Sequence, residues 1–201
     1  MNTISTEIIV IKKIKYKETS LLVNSISRDY GRLDFIIKGG LRVTNKQTPI
    51  FDLFRVIEVE FKESNNSLIV PLNLNLILNY DELARYPSFF IKACITSDFI
   101  LKNSFYNIKS TLLYKAFNIL LTNYVHGKNY DSSLIKLVYL FENGLLDINS
   151  ENINFRKKFI LKKLLRTALN SYEQFDFNTE YFNKIKLWIN EECIFHNLNL
   201  T

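Results

Sequence analysis

The chain has 201 residues, with 26 Lys and Arg against 20 Asp and Glu, a net charge of +6 and 47% hydrophobic residues. That length buries a core without disulfide staples, and no apolar run approaches the roughly 20 residues that cross a bilayer. Cys94 and Cys193, the two cysteines, fit neither a disulfide framework nor a CxxC metal site, so a reducing, cytoplasmic setting is expected.

The first 80 residues read as short strands. TEIIVIKKI, SLLVNSIS, GRLDFIIK, FRVIEVEFK and NSLIVPL are rich in Val, Ile and Phe, with turn residues at Lys17-Glu18, Asp29-Tyr30-Gly31 and Glu63 to Asn66 between them. Five strands at this spacing predict a small closed sheet, because closure removes the edges an open sheet must protect. Asn73 to Tyr86 reads as a transition zone, and from Pro87 the apolar period becomes helical. Five amphipathic helices follow: PSFFIKACITSDFILKNSFY, KSTLLYKAFNILLTNYVHG, DSSLIKLVYLFENGLL, FRKKFILKKLLRTALNSY and NTEYFNKIKLWINEECIFHNL. The expected fold is α+β with the classes segregated: a β unit over residues 1–80 and an all-α unit over 81–201. The start MNTISTEIIVIKK lacks the basic region and small-residue cleavage site of a signal peptide.

Catalytic motifs find no support. His126 and His196 are the only histidines, neither in ligand spacing, and the chain contains no GxSxG, GxxxxGK[ST] or GxGxxG. The charges are more informative by position than by sum, since 19 Lys and 23 Asn also fit an AT-rich coding bias. Between Arg28 and Lys46 there are five basic and two acidic residues, and Gly39-Gly40 sits among them. In GRLDFIIK, Leu33, Phe35 and Ile37 share the core face of a strand, leaving Arg32 and Lys38 pointing outward together, with Arg42 and Lys46 in the loop beyond. A barrel strand feeding a basic loop suits a nucleic-acid backbone, with Tyr30 or Phe35 for stacking if exposed. A bulged hairpin with solvated charges is the other reading of the same residues. The second cluster, Arg156 to Arg166, holds six basic residues and no acidic one. Its cations surround Phe159 opposite an apolar arc of Ile160, Leu161, Leu164, Leu165 and Ala168. Such a face suits an acidic peptide ending in an apolar residue or a phosphate track, or it is a core helix with a solvated side.

KYKETSLLVNSISRDYGRLDFIIKGGLR resembles the N-terminal signature of the bacterial RecO recombination mediators. The matching positions are Glu18, Thr19, Ser20 and Leu21, then Gly31 and Arg32, then Lys38, Gly39, Gly40 and Arg42. FDLFRVIEVEF, entered through Phe54, is similar to the family's fourth strand; KLVYLFENGLL, ending at Gly144, and LRTALNSY, with Arg166, Ala168, Leu169 and Tyr172, are similar to two of its helices. Many members of that family carry a four-cysteine zinc module between these two helices, where DINSENIN here has no cysteine, so no metal or other cofactor is expected.

The resemblance implies an OB-fold barrel that binds single-stranded DNA, followed by a helical domain that docks partners, in a non-enzymatic mediator of DNA repair and recombination. It implies RecR and the acidic C-terminal tail of the single-stranded-DNA-binding protein as partners, and help in recombinase loading and strand annealing in the cytoplasm, at the nucleoid. The residues expected to contact DNA are Arg28, Arg32, Lys38, Gly39, Gly40, Arg42 and Lys46. Those expected to hold the tail, on helical geometry, are Lys136, Arg156, Phe159, Lys163 and Arg166. About four phosphate contacts predict a slope near −3 for log affinity against log salt. The alternative is an OB-fold adaptor that binds acidic protein surfaces and no DNA.

Overall fold

The structure is a computed structural model that describes residues 2–42, 50–63, 68–151, 153–170, 176 and 179–200. Five antiparallel strands, β1 (Thr3–Tyr16), β2 (Ser20–Ser27), β3 (Gly31–Ile37), β4 (Val56–Lys62) and β5 (Pro71–Leu78), lie in the order β3-β2-β1-β4-β5. The sheet closes where Ile36 N–H donates to the Ile69 carbonyl at 2.8 Å and Ile69 N–H donates to the Asp34 carbonyl at 2.9 Å. This is the expected OB-type barrel. Its interior is filled by Ile8, Val10, Val23, Leu33, Phe35, Ile57, Val59 and Phe61, inward members of β1 to β4, with the partly buried Leu74 of β5 packed against them.

The apolar run Ile8-Ile9-Val10-Ile11 is explained by burial on both faces of β1. Ile8 and Val10 enter the barrel, whereas Ile9 and Ile11, with Ile26, Phe54 and Val56, belong to the core of the helical bundle. That bundle consists of a short 3-10 helix (Asp81–Arg85), α1 (Pro87–Asn103), α2 (Thr111–Val125), α3 (Ser133–Glu142), α4 (Phe155–Leu169) and α5 (Glu180–Phe195). Phe54 seats edge-on against Phe90 and Phe117, with ring centroids 5.6 and 6.4 Å apart. Glu142, at the end of α3, accepts the N–H groups of Leu112 and Leu113 at 2.8 Å each and so closes the start of α2. A carboxylate there meets both the unpaired donors and the positive end of the helix dipole.

Two details differ from the sequence reading. The fifth strand runs over Pro71–Leu78 and not over NSLIVPL, so much of the segment read as a transition zone is strand. The repeated Leu-Asn alternation supplies the period of two, and Pro71 is tolerated because it begins the strand. The outward face of β3 is also not uniformly solvated. Asp34 is 3% exposed, covered by the segment between α1 and α2.

Candidate nucleic-acid interface

In the β1-β2-β3 meander the turn after β1 and the end of β3 fall at the same end of the barrel. The pairing of Tyr16 with Ser20 and of Leu21 with Ile37 fixes this. Leu41 N–H donates to the Thr19 carbonyl at 2.9 Å, tying the loop after β3 to that turn. Between them lies a cleft of about 460 Å³ lined by Lys17, Thr19, Ser20, Ile36, Lys38, Gly39 and Arg42. Among the described residues three cations line it and no carboxylate does.

The two glycines serve different needs. Gly39 takes φ +67°, the left-handed region glycine enters without strain, and Arg42 N–H donates to its carbonyl at 2.9 Å. Gly40 is required for space: a β-carbon there would stand 2.9 Å from both the Ile37 carbonyl oxygen and Leu21 Cβ. Gly39 therefore faces the cleft, while Gly40 is buried against the β2 hairpin.

Of the residues expected to meet DNA, Lys38, Gly39 and Arg42 come together in this cleft. Lys46 lies outside the described residues, as does Tyr172. Arg28 and Arg32 stand at the other end of β3, about 20 Å away at 3.3 Å per residue. Arg28 pairs with Glu7 at 3.7 Å and Asp29 at 3.4 Å. Arg32 is inside a network. Its guanidinium donates to both carboxylate oxygens of Asp34, at 3.3 and 2.9 Å, and to the Leu101 carbonyl at 3.0 Å, and it lies 4.9 Å from the Tyr106 ring centre. Burial works against the charge on Arg32, but the bonds and attraction from Asp34 outweigh it and raise its pKa. Burial, followed by Asp34, likewise pushes the Tyr106 hydroxyl upward. Phe35 is fully enclosed and offers no stacking face; Tyr30 rests edge-on against Phe61 at 6.3 Å.

Sequence reasoning missed Lys17, Thr19 and Ser20 in the cleft. The signal available was topological, because a three-strand meander necessarily returns its third strand to the level of its first turn.

On the helices, Arg156, Phe159, Lys163 and Arg166 all lie on the exposed side of α4, with Phe159 62% exposed. Three cations occupy the first turn, where the helix dipole disfavours them. Local contacts offset that cost: Arg156 stacks 4.7 Å over Tyr181, Lys157 lies 3.4 Å over Trp188, and Lys158 Nζ donates to the Asn149 carbonyl at 3.0 Å. Asn154 caps the helix by accepting from Lys157 N–H at 2.9 Å. Lys136 belongs elsewhere. It lines a recess with Ile95, Thr96, Phe99, Ser132 and Leu200, donates to Asn190 at 3.0 Å, and has its pKa lowered by burial.

A small antiparallel barrel with a cationic cleft at one end and a helical bundle on its outer face defines an OB-fold protein with an appended α domain. Comparison with known proteins narrows the class. Residues 1–72 match the family described as "Recombination protein O N terminal". The chain is 26% identical over 77 residues to the DNA repair protein RecO of Pelodictyon phaeoclathratiforme, which covers 38% of this chain and 30% of that protein. It is 32% identical over 56 residues to the DNA repair protein RecO of Chlorobium luteolum, covering 28% and 21% of the two chains. The RecO of Chlorobium phaeobacteroides matches at 31% identity over 64 residues, covering 31% and 24%. The matches thus span less than a third of each relative's length, and the resemblance to the RecO family is carried by the barrel. No helix among the described residues is long and apolar enough to cross a membrane.

Proposed function

We propose that this chain is a non-enzymatic recombination mediator in DNA repair that holds single-stranded DNA in the Lys17-Lys38-Arg42 cleft. The observation that carries the reading is the cleft itself: among the described residues, three cations converge on a concave surface without a lining carboxylate, on a module that resembles RecO. Side-chain ammonium and guanidinium groups suit phosphates, and Thr19 and Ser20 add neutral donors. Lys46, four positions beyond Arg42 in sequence, is kept in this reading as a further phosphate contact and lies outside the described residues. Arg28 is assigned to the far end of the barrel, and Arg32 to joining β3 to the helices through Leu101 and Tyr106.

In this reading residues 1–80 are the DNA-binding unit and 81–201 the docking unit, for RecR and for the acidic C-terminal tail of the protein that coats single strands. The exposed Phe159 ringed by Arg156, Lys163 and Arg166 supports tail docking on α4. The Lys136 recess is a separate, smaller site for a terminal apolar group. The protein would assist recombinase loading and strand annealing on coated DNA in the cytoplasm.

Fluorescence anisotropy with a labelled oligothymidylate tests the main claim. Binding at low salt that weakens at least tenfold in Lys38→Ala/Arg42→Ala is expected. Equal binding by the double variant, or none by the intact chain, removes the DNA reading and leaves an adaptor that binds acidic proteins.

A further inference from the structure

The outer face of the β1-β2-β3 meander carries an apolar row that neither core uses. The register sets Ile14 opposite Leu22 and Leu22 opposite Ile36. This row points out of the barrel, because the neighbours of Leu22 and Ile36 along their strands, Leu21, Val23, Phe35 and Ile37, point in. The parallel bridge between Phe35 and Ile69 brings Val70 alongside Ile36, across the closure of the barrel. Ile14, Leu22, Ile36 and Val70 belong to neither hydrophobic core. Ile14 is 41% and Val70 48% exposed, and Leu22 and Ile36 are half-buried. On the side toward the helices the next row is covered, with Lys12 paired to Asp98 of α1 at 3.9 Å and Asp34 bonded to Tyr106. On the other side stand Tyr16 and its partner Ser20, with Lys17 Nζ 5.5 Å from the centre of the half-buried Tyr16 ring.

Ile36 and Ser20 also line the cationic cleft, so the cleft and the apolar row share a wall. A ligand that satisfies both needs anionic groups along a chain with flat apolar faces beside them. An unpaired polynucleotide has that form: its phosphates meet Lys17, Lys38 and Arg42 while its base faces lie on Tyr16 and the aliphatic row. A duplex turns those faces inward and offers the phosphates alone. We propose that Tyr16 and the Ile14-Leu22-Ile36-Val70 row form a base-packing platform, and that this platform makes the cleft selective for unpaired strands. The aliphatic side chains carry no donor or acceptor for a base edge, so the selection is for exposed bases and not for a sequence. The inference rests on the strand-binding reading above and adds to it the residues that distinguish one strand from two.

Anisotropy titrations of the full chain at one salt concentration separate bases from phosphates, using a labelled oligothymidylate and an abasic oligonucleotide of the same length. The two probes carry the same number of phosphates and differ only in their bases. The intact chain should bind the oligothymidylate at least about tenfold more tightly, the scale of one well-packed base. Ile14→Thr/Tyr16→Ser, both on β1, removes apolar surface without altering a charge, and threonine keeps the branched shape a strand favours. This variant should reduce the ratio of the two affinities to within about threefold. Equal binding of the two probes by the intact chain overturns the platform and leaves the cleft as a phosphate site. A variant that keeps the full tenfold ratio overturns it as well. Binding of neither probe removes the strand-binding reading itself, and the platform with it, so the two failures are told apart. The intact-chain ratio needs no substitution and decides the matter even where the variant does not fold.

Discussion

A β-carbon placed on Gly31 would stand 2.0 Å from the carbonyl oxygen of Ile108 and 2.9 Å from that of Phe105, with φ at +66°. The start of β3 is thus pressed against the α1-α2 connection at a distance no side chain permits. Both obstructing atoms are backbone, so they do not rotate away. Gly31→Ala is expected to cost more than about 3 kcal/mol, from positive-φ strain plus displaced packing. Thermal unfolding should show a fall of about 10 °C or more; a shift within about 2 °C would mean that the two segments separate at little cost.

The same junction holds a buried charge. Asp34 accepts from Arg32 and from the Tyr106 hydroxyl, the latter at 2.5 Å, while the Arg32 side chain is three-quarters covered. Removing one member of such a pair leaves the other desolvated and unmatched, so Asp34→Ala should destabilise by about 3 kcal/mol in urea unfolding. Adding Arg32→Met should then cost little more, because the stranded cation is gone. Additive single-variant losses would show that the network is not coupled.

Alternation made much of the barrel legible: Leu33, Phe35 and Ile37 read as core and are core. The diglycine also stood out, yet its chemistry did not, since Gly40 is required by Leu21, a residue on another strand. Asp34 and Arg32 looked like ordinary outward residues because period-two patterning gives a face but not what covers it, and here Tyr106 from beyond α1 does. Lys17 escaped notice for the same reason, its cleft being assembled by two segments separated in sequence. β5 was displaced because Leu-Asn alternation on an exposed strand lacks the β-branched residues that mark buried ones.

Salt dependence resolves the cleft charge by charge. Lys17, Lys38 and Arg42 making one phosphate contact each give a slope of about −2 for log affinity against log salt on single strands, at about −0.7 per contact. Lys17→Ala should make the slope shallower by about 0.7, as Lys38→Ala should, although Lys17 sits twenty-one positions earlier in sequence. Arg32→Met, by contrast, should leave the slope where it was. An unaltered slope in Lys17→Ala would exclude the turn after β1 from the interface.

Asp131 provides a pH handle on the helices. Burial alone would raise its pKa, but the Ser133 hydroxyl and N–H, at 2.6 and 2.9 Å, and Lys186 Nζ at 3.0 Å hold it below the ordinary 3.8. A carboxyl depressed in the folded state stabilises that state above the unfolded pKa, and the contribution disappears as pH falls through the folded pKa. Unfolding free energy should therefore decline on acidification below about pH 4, and Asp131→Asn should flatten part of that decline. Parallel pH profiles for the two proteins would assign the acid sensitivity to other carboxylates.

The α4 face and the Lys136 recess make separable demands on an acidic peptide. A peptide with several carboxylates and a terminal aromatic residue would engage Arg156, Lys163 and Arg166 through charge, and either Phe159 or the Ile95-Phe99-Leu200 recess through its ring. All four α4 residues are exposed, so Lys163→Glu/Arg166→Glu should leave the melting temperature within about 2 °C, the usual range for surface changes. The same pair should weaken peptide binding at least tenfold by calorimetry, since each reversed charge repels the ligand. Lys136→Ala separates the two locations. If the peptide ring sits beside Phe159, this variant binds as tightly as wild type; if it sits in the recess, affinity falls while the salt dependence from α4 persists. Full-strength binding by the charge-reversed α4 variant would remove that helix as the docking face.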